Sequence, residues 1–159
     1  MSATPKLRRQ ARLSAVQALY QMDLTGRPSG GVVREFQQHR FGFEDEPGMV
    51  AADERFFEAL VEGVVLRQDD IDARLDAQLP EKWPLRRLDM TLRALLRAAV
   101  FEVTQRPDVP AKVVIDQYVA IAGDFFDGKE PGMVNAVLDT IARKVRAAEF
   151  GIPAAPTAT

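Results

Sequence analysis

The chain has 159 residues, with no cysteine, one histidine (His39) and 21 basic against 23 acidic side chains, for a net charge of −2. That length supports a buried core without disulfides or a structural metal, and the missing thiols exclude disulfide frameworks, CxxC redox sites, Cys-ligated zinc and thiol nucleophiles. No apolar run approaches the ~18 residues of a bilayer span, and MSATPKLRRQ lacks the apolar segment of a secretory signal, so a cytoplasmic protein with no membrane partner is expected.

Nearly all periodicity along the chain is helical. Thr4 followed by Pro5 reads as an N-cap with proline at the first helical position. Behind it Leu13, Val16, Leu19, Tyr20 and Leu24 keep i, i+3, i+4 spacing up to the stop at Gly26 and Pro28. Val32, Val33 and Phe36 mark a weaker helix after Ser29-Gly30-Gly31, and the irregular, acidic stretch from about 41 to 50 reads as an exposed loop. Phe56, Phe57, Leu60, Val61, Val64 and Val65 give a third helix, in which Gly63 implies close approach of another helix. Asp69 or Asp70 is expected to cap a separate short helix carrying Ile71, Leu75 and Leu79, ended by Pro80. Asp89 caps the next helix, with Leu92, Leu95, Leu96, Ala99 and Val103 as its stripe.

Pro107 and Pro110 bracket a tight connection to a stripe from Val114 to Phe126, and Val134, Val137, Leu138, Ile141 and Val145 form the last one. No segment alternates as a strand does. The expected fold is therefore all-α, with six or seven helices, residues 1–150 as a single helical domain and 151–159 as a disordered Pro-Ala-Thr tail.

Catalytic patterns are missing. Gly26-Arg27-Pro28-Ser29-Gly30-Gly31 has neither a preceding strand nor a following Lys-Ser/Thr, so it is no phosphate loop. His39 has no partner at metal-ligand spacing and reads as a surface residue near a helix end, and pairs such as Asp72 and Asp76 read as a solvated face. No enzyme activity, metal or cofactor is expected.

The charge is unevenly placed. Residues 1–24 carry Lys6, Arg8, Arg9 and Arg12 against Asp23 alone, a net of +3, which leaves −5 on the rest. Cations in a first helical turn oppose the macrodipole. At 100° per residue, Arg8, Arg9 and Arg12 fall on roughly the side of Val16, Leu19 and Tyr20. Two readings follow: a helix overhanging the core as a basic finger for nucleic acid, or a frayed and solvated end. Arg86, Arg93 and Arg97 read as a solvated face, with Asp89 four residues before Arg93 as its intrahelical partner, and Arg97 and Glu102 as residues joining helix layers. Of the adjacent Phe125 and Phe126, the first reads as core and the second, beside the turn, as the exposed ring.

Four segments in order resemble the NusB family of transcription antitermination factors. They are Arg8-Arg-Gln-Ala-Arg-Leu-Ser-Ala-Val-Gln-Ala-Leu-Tyr20, Leu88-Asp-Met-Thr-Leu-Arg-Ala-Leu-Leu-Arg-Ala-Ala-Val-Phe-Glu102, Asp108-Val-Pro-Ala-Lys-Val-Val-Ile115 and Met133-Val-Asn-Ala-Val-Leu-Asp139. The resemblance spans about residues 6–146. It implies two small packed helical bundles that bind boxA-type RNA jointly with the ribosomal protein NusE. It also implies indirect association with RNA polymerase and other Nus factors, promoting read-through, notably on ribosomal RNA operons.

By position the family's arginine-rich first helix carries over to Arg8, Arg9 and Arg12, with Lys6 beside them. The family's Phe-Val-Asn-Gly motif reads here Met133-Val134-Asn135-Ala136, and methionine cannot stack as a rigid aromatic plane does. Gly128-Lys129-Glu130-Pro131-Gly132 stands where relatives commonly carry Asp-Ser, Phe126 stands at an often-glycine position, and Asp116 replaces the usual Asn. The RNA surface implied is Lys6, Arg8, Arg9, Arg12, Phe126, Lys129, Met133 and Asn135, with Phe126 supplying the missing ring. The acidic body suits a basic protein partner such as NusE. Two alternatives stand beside this reading: a helical adaptor for proteins alone, and the RNA-binding domain of a ribosomal RNA cytosine methyltransferase without its catalytic part. Monomer and homodimer are both open.

Overall fold

A computed structural model describes residues 5–43 and 46–153. Six α-helices follow in order: α1 (Pro5–Thr25), α2 (Ser29–His39), α3 (Glu54–Gln78), α4 (Met90–Gln105), α5 (Ala111–Phe125) and α6 (Glu130–Val145). Short 3-10 turns cover Leu85–Arg87 and Ala147–Phe150. Helices α1, α2 and α3 pack on one another, as do α4, α5 and α6, and the two sets meet along α4, which lies against both α1 and α3. The expected two-bundle, all-helical architecture is what the chain adopts. The expected Thr4 cap lies outside the described residues.

Several element boundaries have local causes. Asp53 caps α3 by accepting from the Phe56 amide, and Asp89 caps α4 by accepting from the Thr91 and Leu92 amides. Asp89 is therefore spent on the helix start rather than on Arg93. The short helix expected after Asp69 or Asp70 is the second half of α3, which runs on through a kink at Arg67 (φ −115°, ψ 18°). Helix α2 begins at Ser29 and includes both glycines, because Pro28 holds the extended conformation that precedes a helix and Ser29 donates to Glu62. The loop after α2 is pinned at its ends: Phe41 is buried against Phe36 and Phe57 and forms a backbone bridge with Val50, whose carbonyl accepts from the Gly42 amide and whose amide donates to Arg40. Residues 46–48 are exposed, and 44–45 lie outside the described residues.

Gly63 on α3 faces the Phe101 ring of α4 so closely that a Cβ there would lie 2.2 Å from a ring carbon. This is the close approach its place in an apolar stripe implied. At the far end of α4, the Arg146 guanidinium donates to the main-chain carbonyls of Glu102, Val103, Arg106 and Val109. Of these, Val103 is an acceptor that the last turn of a helix leaves open, while Glu102 and Arg106 also accept from the Arg106 and Val109 amides. Gly151, at φ +68°, ends the final turn, and the Ile152 amide donates to Ala147. Residues 151–153 are thus placed against the last turn, while 154–159 of the expected tail lie outside the described residues.

Candidate nucleic-acid interface

The basic end of α1 is split between two faces of the helix. Arg12 points inward and is only 3% exposed. Its Nε donates to Glu102 Oε1 at 2.9 Å and its Nη2 to Glu102 Oε2 at 2.7 Å, a bidentate pair across 90 residues of sequence. The Tyr118 hydroxyl donates to the same Glu102 Oε1 at 3.0 Å. Glu102 is 0% exposed, so the pair is taken wholly out of water and held by charge-assisted hydrogen bonds. Burial lowers the Arg12 pKa, but the hydrogen bond and charge of Glu102 more than offset this, leaving it above its ordinary value. Burial, reinforced by the Glu102 charge, pushes the Tyr118 phenol well above its ordinary value.

Arg8 lies one turn earlier on the same inward side. Its guanidinium stacks 4.6 Å from the centre of the Phe56 ring, and Arg12 and Arg106 approach that ring at 5.1 and 5.0 Å. Asp53 and Asp108 stand 3.6 and 3.9 Å from Arg8, and Asp108 also accepts two hydrogen bonds from Arg106. The cations Arg8, Arg12 and Arg106 are thus balanced by Asp53, Glu102 and Asp108 around one buried phenylalanine. No basic finger overhangs the core at these two residues. Arg8 is half-buried and Arg12 is a joint between α1, α4 and α5.

The solvated-face reading of the second arginine set changes in the same way. Arg97 makes a bidentate pair with Asp72 of α3 and reaches Asp23 of α1 at 3.1 Å. Arg93 also meets Asp23, at 3.2 Å. These arginines join three helices.

Lys6 and Arg9 face outward. Both are exposed and border a depression of about 480 Å3, with Leu13, Met49, Val50 and Ile121 on its walls and Asp124 at its edge. Further along the same outer side of α1, Tyr20 and Leu24 are exposed and meet Phe125 in a groove of about 340 Å3 with Val16, Gln17 and Arg40. The expected apolar stripe of α1 therefore divides: Val16 and Leu19 are buried, Leu13 is half-buried, and Leu24 is 60% exposed.

The two adjacent phenylalanines exchange their expected places. Phe125 is 44% exposed, whereas Phe126 is half-buried and packs on the core. The helix ends at Phe125, and Phe126 is extended (φ −133°, ψ 136°), which turns its ring away from the groove. Lys129 is exposed at the start of α6, Asn135 is exposed on its first turns, and Met133 is half-buried against the core. The structure thus brings the outer side of α1 to the C-terminal end of α5, with Lys129 and Asn135 beyond the following turn. Sequence reasoning missed Tyr20, Leu24 and Phe125; for Tyr20 and Leu24 the signal available was their rotation from Leu19 by about 100° and 140° around the helix.

Among the described residues there is no cluster of acidic or histidine side chains able to hold a metal ion, and no helix long and apolar enough to cross a membrane.

Residues 9–143 match the NusB family model. The chain is 56% identical over 146 residues to the transcription antitermination protein NusB of Maricaulis maris, covering 91% of each chain. It is 51% identical over 137 residues to the NusB of Caulobacter vibrioides, covering 86% of this chain and 92% of that one. Among solved structures, the fold is similar to T. maritima NusB (TM-score 0.76, 25% identity, 95% of this chain and all of that one). It is also similar to a chain in a complex of the antitermination factors NusB and NusE with double-stranded RNA (TM-score 0.66, 24% identity, covering 89% and 99%). The order of the helices, the matched length and the identity to these relatives agree: this chain belongs to the NusB family.

Proposed function

We propose that this chain is a transcription antitermination factor that binds boxA-type RNA together with NusE, and that the complex acts on RNA polymerase with other Nus factors in the cytoplasm. Binding, not catalysis, is its role. The outer side of α1 and the end of α5 form the RNA surface. The observation that carries this is the sorting of the α1 cations. Arg8 and Arg12 are neutralised by internal carboxylates, while Arg9 is exposed at the border of a depression that Lys6 also lines, and Tyr20 and Phe125 border a separate groove further along the same side of α1. Cations for phosphates followed by exposed rings for bases are what a single strand requires. Lys129 and Asn135, exposed at the start of α6, extend the same surface.

A gel shift with boxA RNA, with and without NusE, tests this. The expected result is a shift by the chain that strengthens when NusE is added. A Lys6→Gln, Arg9→Gln double variant should bind more weakly and lose about 1.4 from its log–log salt slope, at ~0.7 for each phosphate contact on a single strand. No shift in either condition rejects the reading in favour of a protein-only adaptor.

A further inference from the structure

A second depression lies on the other side of the Phe125–Phe126 pair. It measures about 470 Å3 and is bordered by Trp83, Phe126, Lys82, Arg87 and Glu130. Trp83 is the only tryptophan of the chain. It follows α3 in the connection to the 3-10 turn, and both it and Phe126 are half-buried against the core, so each ring is held firmly with one part facing the depression. Lys82 and Arg87 are exposed at the border.

The two acids at this place differ in what they have left to offer. Asp89 also lines the depression, but its carboxylate is engaged by the Thr91 and Leu92 amides. Glu130 Oε2, by contrast, is buried and has no hydrogen-bond partner among the described residues. Glu130 also borders the depression, where a carboxylate can accept from the donors of a ligand.

From these residues we infer that the Trp83–Phe126 depression is a pocket for one unpaired nucleotide of a bound RNA. The base lies against the two rings, its amino group donates to Glu130, and its phosphates lie against Lys82 and Arg87. Aromatic faces, cations for the backbone and a carboxylate for an exocyclic amine are the elements of single-strand recognition. The size falls within the ~300–1,000 Å3 of small-ligand sites. The position is continuous with the surface described above: the first turn of α4 borders both depressions, Thr91 on the Tyr20 side and Leu92 on the Trp83 side. The Phe125 and Phe126 rings, 6.3 Å apart, form the ridge between them. A strand leaving the α1 groove over Phe125 would next meet this pocket. The inference rests on the RNA-binding reading and adds to it a base preference, for cytosine over uracil, since cytosine presents an amine where uracil presents a carbonyl.

Because Trp83 is the only tryptophan, its fluorescence reports on the pocket alone. The full chain is titrated with single-stranded oligo-C and oligo-U 12-mers carrying an end label, reading label anisotropy for total binding and Trp83 emission for the pocket. The expected result is quenching on binding, tighter binding of oligo-C, and a loss of about tenfold in oligo-C affinity for Phe126→Leu, as for loss of one base–aromatic stack. Glu130→Gln separates recognition from general charge. If Glu130 only repels phosphates, the variant binds both oligomers more tightly and keeps their ratio; the inference requires the oligo-C preference to fall. Binding by anisotropy without any change in Trp83 emission overturns the pocket and leaves the RNA surface on α1 intact. No binding by anisotropy overturns both.

Discussion

Within about two turns, the same helix carries two kinds of cation. Arg12 faces α4 and α5, Arg8 faces the start of α3 and the α4–α5 connection, and both meet carboxylates from distant parts of the chain, whereas Lys6 and Arg9 face outward at the edge of a depression. The inner pair shapes the helix's seat; the outer pair is exposed at the border of a depression. A basic cluster read as one unit hides this division. What separates its members is rotation about the helix axis, about 100° per residue, and the presence of a buried acid on the facing helix. Glu102 decides the matter for Arg12.

The sharpest break of this comparison is at the inner joint. Arg12→Ala leaves Glu102 buried without its counter-charge, and a cost of about 3–5 kcal/mol is expected, read as a lowered urea midpoint. RNA binding should then be lost only in step with the fold. A variant that keeps its midpoint but loses RNA would move Arg12 to the ligand side. Tyr118→Phe removes one hydrogen bond to a charged acceptor, for about 1.5–3 kcal/mol. This position also has a pH signature. The phenol's pKa is raised by burial in the folded chain, so the stability it contributes is present below about pH 10 and declines as pH rises through the folded value. Urea melts across alkaline pH should show a steeper fall for the parent chain than for Tyr118→Phe.

The outer face should behave oppositely. Phe125→Ala is expected to weaken RNA binding by about 1–3 kcal/mol if a base stacks there, with little change in melting. The Lys6→Gln, Arg9→Gln variant, already expected to flatten the salt dependence, should stay within about 0.5 kcal/mol of the parent in stability, as exposed substitutions do. The smallest effect is expected at Asp108, whose carboxyl pKa is lowered by the Arg106 hydrogen bond. Its contribution is present above the ordinary aspartate range and fades as pH falls through the lowered value. Asp108→Asn should therefore slightly flatten the acid limb of stability against pH.

The helices themselves were legible because burial imposes a 3.6-residue period on leucines and valines, and the α4 cap was legible because Asp89 precedes such a stripe. Two kinds of feature were not. The width of the buried arc on α1 depends on how many helices close over it, which no local pattern records; Tyr20 and Leu24 consequently read as core. The kink at Arg67 likewise depends on packing, so one bent helix read as two. Of the candidate site, the basic residues were visible and their orientations were not, because Glu102 lies far along the chain from Arg12, and Asp53 and Asp108 lie far from Arg8. A glutamate between Phe101 and Val103, inside an apolar helix, was the visible sign of a buried counter-charge. The exchange of Phe125 and Phe126 turned on where α5 ends, the least determined point of any helix.

The clamp made by Arg146 has a consequence for the order of events during synthesis. The last turn of α4 lends its carbonyls to a side chain made some forty residues later, beyond α5 and α6. Until that side chain is made, the Val103 carbonyl is left to water, while Glu102 already accepts from the Arg106 amide. Arg146 is therefore a closing residue. A nascent chain stopped short of it lacks the four hydrogen bonds that tie the end of α4 and the residues after it to the end of α6.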